Sequence, residues 1–371
     1  MNKREFLKEA GLAAAYLLAP ALLYRCSADR AHRSVMNWHW IHSVGDTSVD
    51  DLKFRLEELK NHGIDAVLME TFIDESTVSA GYWGPLNHPP LERLIRAGEI
   101  TEVSIHCWLW QMPNNIQFFA ENHGDWFAVN GKRQPAHTHP AYVDYYRFMC
   151  PNHPEVKEYL RMRIKSACSI KELAGIHLDY IRFPDVILAE ALQPVYNIIQ
   201  DREYPEYDYC YCDNCRRLFR EQTGIDHLTG LDDPSESREW RQFRYDSITN
   251  LVNTILAPEV RKAGKTVTAA VFPNWESVRQ EWRNWDLDAF FPMLYHNFYN
   301  ADIDWIGENI SKQLKELRYE RPLYSGLYLP AMEPGQLMKA FHLSVDAGAA
   351  GISLFGNITE EHFRVLAGLK A

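Results

Sequence analysis

The residues best suited to chemistry stand together in "GIHLDYIRFPD", 175–185. An apolar run, Gly175 to Leu178, leads straight into Asp179, Tyr180, Arg182 and Asp185. Ionised side chains are rarely buried without partners, so several at one strand end usually face a wet cleft. Alternation puts His177 and Asp179 on the same face of that strand. An Asp so placed can donate or accept a proton; the competing reading is a structural ion pair with Arg182 or with an Arg elsewhere. A second carboxylate, Glu70, ends another apolar run in "VLMETF". Glycosidic hydrolysis needs two carboxyl groups flanking the scissile bond, one protonated and one charged, and environments that hold their pKa values apart. Asp179 is the first candidate and Glu70 the second. Asp185, Glu276 and Glu333 are loop carboxylates that could replace Glu70. Asp288 opens its strand and reads as stabilising.

Aromatic residues surround these carboxylates in the sequence. The chain carries 11 Trp, 19 Tyr and 17 Phe in 371 residues, and exposed rings stack well on sugar faces. Trp38 and Trp40 share one face of a strand; His106, Trp108 and Trp110 share one face of another. Trp38 and His106 also fit a plain core, whereas Trp40 and Trp110 lie nearer the strand ends. The residues expected to contact substrate are Trp40, His106, Trp110, His177, Arg182, Tyr295 and His296. Arg182 would orient Asp179 or a substrate hydroxyl.

Eight apolar, strand-like runs position these side chains: 34–41, 63–72, 103–110, 174–181, 266–273, 288–295, 322–329 and 351–356. Helical periodicity fills the intervals, as in 49–63, which has Asp near its start and Gly past its end. Eight strands alternating with helices predict an α/β fold, a (β/α)8 TIM barrel. The rival, an open doubly wound sheet, would want a Gly-rich turn after the first strand, and "WIHSVGD" is a poor one. Two connections are too long to be simple loops. They come after strand 3 (about 111–152) and strand 4 (about 182–238), on the face where barrels build active sites. No internal repeat or linker interrupts 34–371, which predicts one domain.

Cysteines supply a second chemistry. "CYCDNC" places Cys210, Cys212 and Cys215 within six residues, and Cys150 stands in the other long loop. Thiols this close rarely pair off as disulfides without strain, and four are the number a closed tetrahedral zinc site needs. Such a site has no open position, so zinc there would be structural and would fasten the two long loops; a disulfide plus a free thiol is the alternative. No cofactor is expected for catalysis. Cys107 and Cys168 read as small core hydrophobes.

The remaining features concern location and partners. Residues 1–26 read as an export signal: a basic start precedes an apolar run too short and Pro-broken to span a bilayer. "KREFLK" resembles a twin-arginine signal with Lys3 in place of the first Arg. Cys26 after that run is a candidate lipid anchor, although Arg25 stands where a small residue is expected. The protein is expected to be exported, either periplasmic or anchored at the outer membrane. A net charge of −11 argues against a nucleic-acid partner.

In this order the pieces resemble the glycosyl-hydrolase-like family 10 group of bacterial barrel proteins. "GIHLDYIRFPD" carries the resemblance, with "CPNHPEVKEYL" before it and "AAVFP", "LDAFFPMLYH" and "GLYLP" after it. The cysteine cluster looks like the structural zinc site of family-42-type β-galactosidases. The resemblance implies hydrolysis of an oligo- or polysaccharide, with some relatives associated with peptidoglycan glycan strands, and it implies a catalytic role for Asp179. Two rivals are a non-catalytic carbohydrate-binding barrel and a metal-dependent hydrolase. The latter would need several strand-end His and Asp, for which only His177, His39 and His106 are at hand.

Overall fold

Inward-facing residues alternate along every strand, and the barrel results from what that alternation buries. A computed structural model describes residues 35–72, 88–226 and 235–368. The proposed export signal and Cys26 therefore lie outside the described residues. Eight parallel strands are present: β1 (Trp38–Ile41), β2 (Ala66–Glu70), β3 (Ser104–Trp110), β4 (Gly175–Asp179), β5 (Thr266–Val271), β6 (Ala289–Pro292), β7 (Tyr324–Tyr328) and β8 (Gly351–Phe355). They pair in the order β6-β5-β4-β3-β2-β1-β8-β7. Parallel bridges Phe290–Leu323 and Met293–Gly326 draw β6 and β7 together, so the sheet is a nearly closed TIM barrel. The strands are shorter than the apolar runs that announce them, because the ends of each run become turns.

Helices lie between most strands, with starts and stops of local origin. In Val49–Asn61, Ser48 caps the start by accepting from the Asp51 N–H, Asp50 and Asp51 face the positive end of the dipole, and Gly63 beyond the end has φ 90°. One interval departs from the expected alternation. Among the described residues β5 and β6 are joined by 3-10 turns, Trp275–Val278 and Trp282–Asn284, without an α-helix. There Trp282 donates to the Phe272 carbonyl, and Trp285 donates to Thr249 of the helix Arg238–Leu251, and both indoles are buried.

Two packed regions result. Outside the sheet, helix faces meet outward strand residues such as Val67, Met69, Ile105 and Leu178. Inside it, Trp38, Trp40, Leu68, Trp108, Ala270, Phe291 and Tyr324 fill the lumen. Trp38 meets His106 edge-on at 4.8 Å and Phe291 at 5.0 Å. Gly175, which opens the 175–185 motif, makes room for this floor: a Cβ there would overlap the His106 ring and the Thr266 carbonyl. The two long loops clasp each other above the barrel through the bridge Asn130–Tyr209 and the Tyr211 N–H to Val129 carbonyl bond, 2.7 Å.

Candidate active site at the mouth of the barrel

The C-terminal strand ends open into a cavity of about 490 Å³. Trp40 and Trp108 lie at its base; Trp110, Tyr180, Tyr295, Tyr328 and Phe355 form much of its wall. Among the described residues its ionisable lining, apart from tyrosines, is His42, Asp179, Arg182, Asp185 and Glu190.

Asp179 ends β4 and faces this cavity with 7% of its surface exposed. Its Oδ2 accepts from Trp108 Nε1 at 2.8 Å, and its Oδ1 accepts from the Tyr180 N–H at 2.6 Å. The second bond exists because Tyr180 turns into the left-handed region, φ 47°, immediately after the strand. Among the described residues no cation forms an ion pair with the carboxylate. Burial therefore dominates and raises its pKa from 3.8 to about 6, against the pull of those two N–H groups and of Arg182. A carboxyl group poised there can hold a proton near neutral pH and release it.

Arg182, the expected partner of Asp179, is committed elsewhere. Its Nη1 meets Asp185 Oδ2 at 3.0 Å and its Nη2 donates to the Tyr146 hydroxyl at 3.1 Å. Four rings flank the guanidinium, Phe272 nearest at 4.7 Å and Tyr180 at 5.0 Å. Asp185 lines the cavity, but its charge is spent on Arg182. Glu70 ends β2 and is buried, yet it is not on the cavity wall. His42 stands in front of it, with Nδ1 2.5 Å from Glu70 Oε2.

The other sequence candidates divide by height along the strands. Trp40, Trp110 and Tyr295 line the cavity. Trp110 packs on Tyr180 with ring centroids 4.5 Å apart, and Tyr295 stacks on Phe355 at 6.0 Å and 11°. His106 and His177, named as sugar contacts, do not line it. His106 sits in the floor beside Trp38, and burial lowers its pKa to about 3. His177 is packed edge-on between Trp40 (4.4 Å) and Phe291 (4.8 Å) and bonds Thr268 Oγ1 at 2.7 Å; burial keeps it neutral. His296 is buried in the turn after β6, off the cavity wall. Glu333 caps the helix Pro334–Asp346, and Glu276 is off the wall as well. Asp288 accepts from the Val267 N–H at the opposite end of the barrel.

Several lining residues escaped the sequence reading. His42 had a legible signal: Trp38, Trp40 and His42 continue one alternation past the last strand residue. Tyr328 and Phe355 obey the same rule at the ends of β7 and β8. Tyr145 and Glu190 come from the long loops, where no periodicity announces which side chain turns inward.

The four cysteines lie together beside the mouth. Their sulfurs all fall within 4.8 Å of one another, with Cys150 Sγ 3.5 Å from Cys212 Sγ and 3.4 Å from Cys215 Sγ, and all four are buried, unbonded thiols. Zn–S bonds of about 2.3 Å around a tetrahedral ion place sulfurs about 3.8 Å apart, so the donor set fits a closed metal site. N–H groups already point at the sulfurs: Val129 N at Cys210, Cys215 N at Cys212 and Asn152 Nδ2 at Cys215, each at 3.4 Å. Such donors support thiolate charge.

Comparison with known proteins places the fold. No family model matches the chain, and no curated protein matches it. Solved structures do. The catalytic domain of a β-amylase from Paenibacillus polymyxa aligns with TM-score 0.61 and 10% identity, over 89% of this chain and 95% of that one. A β-galactosidase from Halorubrum lacusprofundi aligns with TM-score 0.64 and 13% identity, over 90% of this chain and 57% of that one. A β-galactosidase from the psychrophilic Marinomonas ef1 gives 0.61 and 9%, over 90% and 58%. The chain thus spans under two thirds of the β-galactosidases it matches. At these identities the likeness is one of fold, a TIM barrel shared with glycoside hydrolases.

Proposed function

We propose that this protein is a glycoside hydrolase of the family-10-like group, cleaving an O-glycosidic bond of an oligo- or polysaccharide at the barrel mouth. One observation carries the reading: Asp179 presents a carboxyl group with a pKa raised to about 6, without an ion-pair partner among the described residues, to an aromatic cavity. Such a group is suited to protonate a leaving glycosidic oxygen. Trp110 and Tyr295 would stack on sugar faces, while Asp185 and Arg182 hold each other and shape the wall. The β-amylase and β-galactosidase neighbours support the reading through their shared fold.

The test is a panel of oligosaccharides and aryl glycosides offered to the wild type and to Asp179→Asn. The expected result is hydrolysis of at least one substrate by the wild type and a kcat lower by about 100- to 10,000-fold in the variant. A second reading, a sugar-binding barrel without hydrolysis, draws on one observation: of the carboxylates the sequence offered as partners of Asp179, Asp185 is engaged by Arg182 and Glu70 by His42. Binding of an oligosaccharide with no turnover in the wild type would favour it.

Cys150, Cys210, Cys212 and Cys215 are proposed to hold a structural zinc ion that ties the two long loops together. Bound zinc would supply cross-linking rather than catalysis, since four thiolates leave no open position. One zinc per chain by elemental analysis, lost in Cys212→Ser along with thermal stability, is the expected result; stoichiometric disulfides without zinc would overturn it. From the N-terminal sequence we further propose export as a single barrel domain from residue 34 onward, with Cys26 the candidate lipid anchor.

A further inference from the structure

The glycosidase reading leaves one role unfilled, the group that activates the attacking nucleophile. Glu70 is the sequence candidate for it, but the cavity meets His42 first. Three observations define the arrangement. His42 comes after Trp38 and Trp40 on the inward face of β1 and lines the cavity with its side chain 68% exposed, whereas the Glu70 side chain behind it is 7% exposed. Glu70 Oε2 is 2.5 Å from His42 Nδ1, so the buried carboxylate holds the ring from behind. The imidazole is bracketed by Trp108, 5.7 Å between centroids, and Phe355, 6.1 Å. That same Trp108 donates its Nε1–H to Asp179. His42 and Asp179 thus both neighbour one indole and line one cavity.

With the ring neutral and Glu70 as the acceptor, the ring proton is on Nδ1 and the Nε2 lone pair is free. A nitrogen base oriented by a carboxylate on its other nitrogen can abstract a proton. In this site the second carboxyl group of glycosidic hydrolysis would act through the imidazole it orients. Among the described residues the other carboxylates on the wall besides Asp179 are Asp185, which is bonded to Arg182, and Glu190, which stands on a long loop with no carboxylate or packed ring to orient it.

We propose that His42 Nε2 is the general base of this enzyme and that Glu70 is its positioning residue, with Asp179 the general acid; this rests on the glycosidase reading above. In the step, Asp179 gives its proton to the glycosidic oxygen as the bond from that oxygen to the anomeric carbon breaks, its electron pair staying on the oxygen. A water attacks the anomeric carbon from the opposite face, and its proton passes to His42 Nε2. The products are the free alcohol and a sugar hemiacetal of inverted configuration. His42 then loses its proton to solvent and Asp179 regains one.

The experiment uses the full chain and p-nitrophenyl glycosides. His42→Gln is expected to lower kcat by about 100-fold or more with KM within about threefold, and added imidazole to restore part of the rate in His42→Ala. Glu70→Gln is expected to cost less, and the 15N spectrum of His42 to move from the Nδ1–H tautomer toward a mixture, a change that loss of packing alone does not produce. Product NMR is expected to show the inverted anomer. His42→Gln within about threefold of the wild type overturns the proposal, as does a retained anomer with a glycosyl group trapped on Glu70. Failure of the proposal alone shows in the variants or in the product anomer of an active wild type; a wild type that cleaves nothing overturns the glycosidase reading, and the proposal falls with it.

Discussion

Along β4, His177 and Asp179 occupy the same face two residues apart, a rise of about 7 Å, and they meet different fates. His177 is in the barrel floor, closed in by Trp40 and Phe291, and bonds Thr268. Asp179 is one step higher, where the aromatic packing parts into a cavity. Burial penalises the charged form of both, so the imidazole is held neutral and the carboxyl is pushed up to about 6. In the floor that shift only keeps a charge out of the core. At the mouth the same desolvation makes a proton donor. Burial therefore creates reactivity only where a substrate can reach the group.

The contrast between floor and mouth is tested hardest at Asp179. Its pKa is about 6 when folded and 3.8 when not, so the native state binds more protons between those values and stability falls as pH rises through them. The shift corresponds to about 3 kcal/mol at most. Asp179→Asn should remove this slope, so the stability of the variant relative to the wild type should rise between pH 4 and pH 7. Urea unfolding at the two pH values measures it; parallel pH dependences would place Asp179 in the same class as an ordinary surface carboxylate.

The floor gives the opposite sign. His106 titrates at 6.5 when unfolded and at about 3 in the folded barrel, so the unfolded chain takes up protons first and stability is lost as pH falls below 6.5. At pH 5 this amounts to about 2 kcal/mol. His106→Met should shrink the loss of stability between pH 7 and pH 5 by that amount and leave the KM for any glycoside unchanged. A raised KM would move His106 from floor to site.

The smallest expected effect is at the wall. Trp110→Ala removes a ring that packs on Tyr180 and faces the cavity, and should raise KM by about fivefold, on the order of 1 kcal/mol, with kcat nearly constant. An unchanged KM would mean that the sugar lies against Tyr295 and Phe355 instead.

The eight strands were legible in the order of residues alone, because apolar alternation is a local property, and so was the place of Asp179 at a strand end. The cysteine spacing likewise brought three of the four thiols together before any folding argument. Height was legible only in part: position along a strand set Trp40 and Trp110 nearer the mouth than Trp38, but left His106 and His177 among the expected sugar contacts. Partnership and cover were not legible. Alternation says which face a residue takes, and the barrel's packing decides that His177 as well as His106 is closed into the floor. Arg182 is three residues from both Asp179 and Asp185 in the chain, and the fold pairs it with Asp185. His42 and Glu70 meet although 28 residues separate them, because β1 and β2 run side by side. Alternation is a one-dimensional pattern, whereas pairing and access depend on how neighbouring strands close around a shared interior, and only the folded barrel fixes that.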